Sequence, residues 1–236
     1  MIRQLLEELV ERLQKAYSNR LVSVILYGSA AAGDHHEKFS DLNVLCVLDE
    51  VTPEALGDSE PIFKWWRGRG NPSPLLMSQE EVRTSTDCFP IEFHDMAERR
   101  RVLFGKDVIE GLVIDKVFYR AQIEQELRAK LLRLRQKAAE VLNNEEALLR
   151  LMIDSVPNFL VLARHALLVS GLPAGSQKRE ISQNVTAFGV QPAPFDILLD
   201  LREQKRKTSE VEPQELFARY LKQIEALVAH VDRLEK

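Results

Sequence analysis

The apolar positions change their period along the chain. Over 2–17, Ile2, Leu5, Leu6, Leu9, Leu13 and Tyr17 recur at helical spacing and predict an amphipathic helix. Residues 21–27 form an apolar run ending at Gly28, which predicts a buried strand, and 42–48 predict a second. A polar loop, 33–40, lies between them. Residues 61–69 read as a helix closed by Gly70, and 75–77 as a short strand. Residues 91–94 alternate apolar and polar and read as a third strand, entered through Pro90 as a strand start or edge allows. Short helices are expected near 98–103 and 107–112.

From about Lys116 the strand signals stop. Tyr119, Ile123, Leu127, Leu131, Leu134, Ala138 and Val141 form one long stripe, and 148–168 another, closed by Ser170-Gly171-Leu172-Pro173. Shorter helices are expected at 177–188 and 194–204. A last helix from Pro213 carries Phe217, Tyr220, Leu221, Ile224, Leu227, Val228, Val231 and Leu234. Each stripe must bury its face, which predicts an antiparallel bundle and leaves a homodimer through the C-terminal helices open. The fold expected is α+β: a mixed β-sheet domain with flanking helices over 1–114, followed by an all-α antiparallel helical bundle over 115–236.

Composition narrows the class. The 236 residues suit one large domain or two small ones. With 45% hydrophobic and 29% charged residues, the chain is neither disordered nor low-complexity. The net charge of −4 argues against a dedicated duplex-DNA binder, so nucleic acid is not an expected partner. The cations of 120–137 and Arg99-Arg100-Arg101 read as solvated faces with local acidic partners. Trp65-Trp66 predicts one ring in the core and one at the surface. The opening residues lack a signal-peptide pattern, and no stretch reaches the roughly 18 uncharged apolar residues of a membrane span. Cys46 and Cys88 make neither a disulfide framework nor a zinc site, so the expected location is cytoplasmic, with no membrane partner.

The chemistry concentrates around Gly28. A strand running into Gly28-Ser29 offers a turn that a phosphate can approach closely, with following N–H groups and the Ser29 hydroxyl as donors. Asp41 opens the second strand, and Asn43, two residues on, projects from the same face. On the expected third strand, Glu92 and His94 share a face and Asp95 lies on the other. With that strand beside the second, Asp41, Asn43 and Glu92 would converge above the turn. An anion cradle with clustered oxygen donors is what Mg²⁺–triphosphate chemistry requires. His35-His36 reads as part of a solvated loop.

At these residues the chain resembles the nucleotidyltransferase superfamily, the fold of DNA polymerase β and kanamycin nucleotidyltransferase. The resemblance covers about 1–110. It rests on Tyr27-Gly28-Ser29 and Ser40-Asp41-Leu42-Asn43, supported by Pro90-Ile91-Glu92-Phe93 and Val102-Leu103-Phe104-Gly105. It implies that Gly28 and Ser29 bind the phosphates of an NTP, and that Asp41, Asn43 and Glu92 hold Mg²⁺. It further implies Asp41 and Glu92 as catalytic, with Glu92 the base for an acceptor hydroxyl on a small molecule or protein. Asn43 stands where the family carries its second carboxylate, and Ala30 where a basic residue is common. Two readings follow: an Mg²⁺-dependent nucleotidyltransferase, or a catalytically inactive relative that binds nucleotide or a partner as a regulatory module.

Overall fold

The computed structural model describes residues 2–28, 30–31 and 42–234. Ser29, Asp41 and the His35-His36 pair lie outside the described residues. The chain divides into two compact units, Met1–Asp115 and Lys116–Lys236.

In the first unit, helix α1 (Ile2–Tyr17) buries Leu6, Leu9, Leu13 and Tyr17. Strand β1 (Leu21–Tyr27) follows, then β2 (Asn43–Leu48) and helix α2 (Pro53–Arg67). That helix starts well before the expected 61. Thr52 caps it by accepting a hydrogen bond from the Ala55 N–H at 3.2 Å, Pro53 stands in its first turn, and Pro61 is carried inside. Tyr17 donates its hydroxyl to the Ala55 carbonyl at 3.0 Å, fastening α1 to α2. Strand β3 (Leu75–Ser78) and helix α3 (Gln79–Thr84) come next, with Ser78 and Glu81 forming a capping box. Trp66 is fully buried. Trp65 is half-buried between the guanidinium groups of Arg12 and Arg69, 4.3 and 4.2 Å from its ring centroid.

Residues 91–94 are not a strand. They belong to helix α4 (Pro90–Glu98). The alternation of Ile91 and Phe93 is too short to decide the period, whereas buried Pro90, Phe93 and Met96 recur every third residue, as on a helix. Pro90 suits a first helical turn, and the Phe93 N–H donates to the Phe89 carbonyl at 3.0 Å. The helix expected at 98–103 is instead strand β4 (Arg100–Gly105), and 107–112 forms turns rather than a helix. The sheet order is β3-β2-β1-β4, with β1 antiparallel to both β2 and β4 and β2 parallel to β3. The neighbour of β2 away from β1 is therefore β3, not a Glu92-bearing strand.

As an edge strand, β4 tolerates its arginines: Arg101 is exposed, and half-buried Arg100 pairs with Asp107, while the backbone pairs with β1. Gly105 ends it at φ +75°, and a β-carbon there would collide with the Val22 carbonyl oxygen. Buried Ser23 donates its hydroxyl to the Lys106 carbonyl at 2.6 Å, holding the same corner. Helices α1 and α2 cover one sheet face, around Val24, Leu26, Val44 and Cys46. Ile25, Leu45 and Val47 pack on the other face with Phe93 and Met96 of α4. Burial pushes the Cys46 thiol up to about 12, so it behaves as a small core residue.

The second unit is helical: α5 (Lys116–Val141), α6 (Glu145–Val169), α7 (Lys178–Asn184), α8 (Ala193–Arg202) and α9 (Pro213–Arg233). Ion pairs fix the directions. Arg128 meets Asp232 at 3.3 Å, and Arg135 meets Glu225 at 2.6 Å, so α5 and α9 run antiparallel. Tyr119 and His165, both buried, share a hydrogen bond of 2.6 Å between the start of α5 and the end of α6. By length and composition α6 passes as a membrane span although it carries Asp154 and Arg164, but 56% of its apolar window is buried inside the unit. Pro157 interrupts α6 and cannot donate to the Ile153 carbonyl; Arg202 donates to that oxygen instead, at 3.3 Å.

Candidate functional site

The site is built from the end of β1 outward. Gly28 follows Tyr27 with φ +79°, a conformation in which an L side chain is strained. Its N–H donates to the Arg99 carbonyl at 3.0 Å, and its own carbonyl accepts from the Ala31 N–H at 3.0 Å. The turn is thus anchored on the junction between α4 and β4. A β-carbon on Gly28 would sit 3.5 Å from Asn43 Nδ2, an ordinary contact. Backbone torsion, not crowding, therefore calls for glycine here.

Tyr27 lies opposite Asn43 on β2 and opposite Arg100 on β4. Residues opposed across an antiparallel pair project to the same face. Half-buried Asn43 therefore shares the face of Tyr27, Ile25, Leu45 and Val47, the one that α4 covers. Glu92 stands in the first turn of α4, and Asp95 follows three residues on, on the same helix face. Burial pushes the Tyr27 phenol up, and the charges of Glu92 and Asp95 push it further the same way. Both carboxylates are thus carried by the helix that packs on the sheet face of Tyr27 and Asn43.

Glu92 thus reaches this neighbourhood from a helix rather than from a strand beside β2. Asp95, which a strand would turn to the opposite face, follows Glu92 three residues on along the same helix. The signal available in the sequence was the three-residue spacing of the two acids behind Pro90 in a first-turn position. His94, also on α4, lies 4.0 Å from Glu98. Arg100 braces the helix: it donates from Nη1 to the Ala97 carbonyl at 2.7 Å and from Nε to both Asp107 oxygens at 2.9 Å.

The donor set is uniform. Asn43, Glu92 and Asp95 all offer oxygen, the choice of a hard cation such as Mg²⁺ rather than of zinc or copper. The residues present fit such an ion.

No curated protein sequence matches the chain. Among solved structures, a spectinomycin adenyltransferase, AAD(9), from Enterococcus faecialis, crystallised with ATP and spectinomycin, superposes with a TM-score of 0.61 at 13% sequence identity. The match covers 97% of this chain and 98% of that one, a likeness of fold. The profile of the nucleotidyltransferase domain matches residues 2–137, more than half of the chain. With the Gly28 turn and the order of its flanking strands, that match places this chain in the nucleotidyltransferase domain family.

Proposed function

We propose that this protein transfers a nucleoside monophosphate from an NTP to a hydroxyl group, with Mg²⁺, and that the acceptor is a small molecule. The observation that carries the reading is the Gly28 turn beside Asn43, with Glu92 and Asp95 on the helix packed against that sheet face. The fold neighbour, crystallised with ATP and spectinomycin, supports a nucleotide and a small polyhydroxy acceptor as the pair to test first.

In this reading, backbone groups at Gly28 and the Ser29 hydroxyl hold the β and γ phosphates. Asp41, Asn43 and Glu92 would hold the metal, which would supply charge neutralisation of the triphosphate and polarisation of its phosphoryl oxygens. Glu92 takes the proton of the acceptor hydroxyl as its oxygen bonds to the α-phosphorus in line. The bond between the α-phosphorus and its bridging oxygen breaks, and pyrophosphate leaves. Asp95 supports the negative field from the next helical turn.

Asn43 favours a second reading. Its amide supplies an oxygen but no charge, and a site short of one carboxylate suits a regulatory module that binds nucleotide or a partner without turnover. Thermal unfolding with each NTP and Mg²⁺ tests nucleotide and metal binding in either reading. Stabilisation of the wild type that is lost in Asp41→Ala supports the assignment; full stabilisation retained in Asp41→Ala overturns it.

A further inference from the structure

The cations of α5 fall into two groups. Those toward α9 or along the helix are matched: Arg120 and Arg128 share Glu124, Arg128 also meets Asp232, Arg135 meets Glu225, and Lys130 meets Glu126 at 3.2 Å. Those toward α6 are not. Among the described residues, Arg133 and Lys137 make no ion pair, although they stand four apart on one helix face as like charges. With Lys130 they form a row of three cations.

This row walls a groove of about 400 Å³ between α5 and α6. Its floor is apolar, with buried Leu134 and Phe159 and half-buried Leu151. The α6 wall carries exposed Asn158 and Asp154 and half-buried Ser155, Asp154 being drawn toward Arg150 at 4.0 Å. Pro157 interrupts α6 along this wall. The groove is open, intermediate between an enclosed cavity and a flat surface. A cationic rim over an apolar floor selects a ligand with both an anionic head and an apolar body. A guanidinium and an ammonium side by side suit a phosphate or carboxylate head, which would also relieve their repulsion.

We infer that the α5–α6 groove binds a small organic anion, its phosphate or carboxylate head on Arg133 and Lys137 and its apolar body against half-buried Leu151. Asn158 donates to the head from the facing wall, and Asp154 excludes anions that extend along α6.

The test is titration of the full-length protein with phenyl phosphate, followed by heteronuclear NMR shifts of α5 and α6 amides, against inorganic phosphate and phenol. The expected result is saturable binding of phenyl phosphate centred on Arg133, with inorganic phosphate and phenol each at least about tenfold weaker. Arg133→Glu and Asn158→Asp, both at exposed positions, should each weaken phenyl phosphate about tenfold or more. Arg133→Lys should retain most of the affinity. Equal binding in Arg133→Glu, or shifts confined to the Gly28 end of the sheet, overturns the inference. So does equal binding of inorganic phosphate, which marks a nonspecific basic patch, or preferential binding of a single-stranded RNA oligomer, which marks a polyanion surface.

Discussion

Asn43 Nδ2 lies 3.5 Å from the point at which a β-carbon on Gly28 would stand, across the last paired position of β1 and β2. Two sequence features fifteen residues apart are thereby one local structure, a left-handed turn facing a polar side chain. Because the space beside Gly28 admits a methyl group, Gly28→Ala meets only the torsional penalty of φ +79°. The expected loss is about 1 kcal/mol of stability, read from denaturant unfolding. NTP binding should fall by more than that loss explains, because the turn itself forms the proposed phosphate cradle.

Gly105 provides the contrast. There the positive φ coincides with a collision between any β-carbon and the Val22 carbonyl, at the corner where β4 joins the sheet. Gly105→Ala should cost about 3 kcal/mol or more. Gly111→Ala, with φ +77° but open space around it, should cost only about 1 kcal/mol. Equal losses in the two variants would remove the steric argument.

The Tyr27 phenol reports on α4. Burial raises it first, and Glu92 and Asp95 add to that rise. Glu92→Gln and Asp95→Asn should each lower the tyrosine titration assigned by comparison with Tyr27→Phe, without returning it to the ordinary value, because burial remains. An unchanged titration in both variants would mean that α4 does not bring its carboxylates to the end of β1.

His230 gives a pH dependence within the helical unit. Its ring stacks on Phe188 at 3.8 Å, and burial, followed by the charge of Arg233, lowers its pKa. The unfolded chain therefore binds the proton more readily than the folded one. Stability is complete above about pH 6.5, the ordinary value, and falls as the pH drops below it toward the folded value. Carboxylates held low, such as Glu124 and Glu203, act in a separate window, below about 4.5. His230→Phe should flatten the first decline and leave the second.

Much of this architecture is legible in the sequence, and the exceptions have physical causes. The stripe of α1 and the runs of β1 and β2 are recognisable because burial on one or both faces imposes an apolar period. The stripes of α5, α6 and α9 are legible for the same reason. Strand β4 is hidden by Arg100 and Arg101: an edge strand draws its stability from backbone pairing with β1, which leaves little mark on side-chain polarity. Helix α4 is hidden by the chance alternation of Ile91 and Phe93, and with it went the position of Asp95. Glu92 stands out in the sequence by its residue type and neighbours, whereas the helix that carries it does not. The α2 start was obscured because Pro61 reads as a beginning when it is an interior residue.

The central claim is that Glu92, from α4, serves NMP transfer at the Gly28 turn. It is tested most directly by pyrophosphate release from each of the four common NTPs, with Mg²⁺ and a panel of small polyhydroxy acceptors. Wild type and Glu92→Gln should be compared, with NTP binding measured in parallel. The account predicts acceptor-dependent pyrophosphate release by the wild type, falling on the order of 100-fold or more in Glu92→Gln while NTP binding is largely kept. Tight NTP binding by the wild type without pyrophosphate release on any acceptor, or release that Glu92→Gln leaves unchanged, would contradict it.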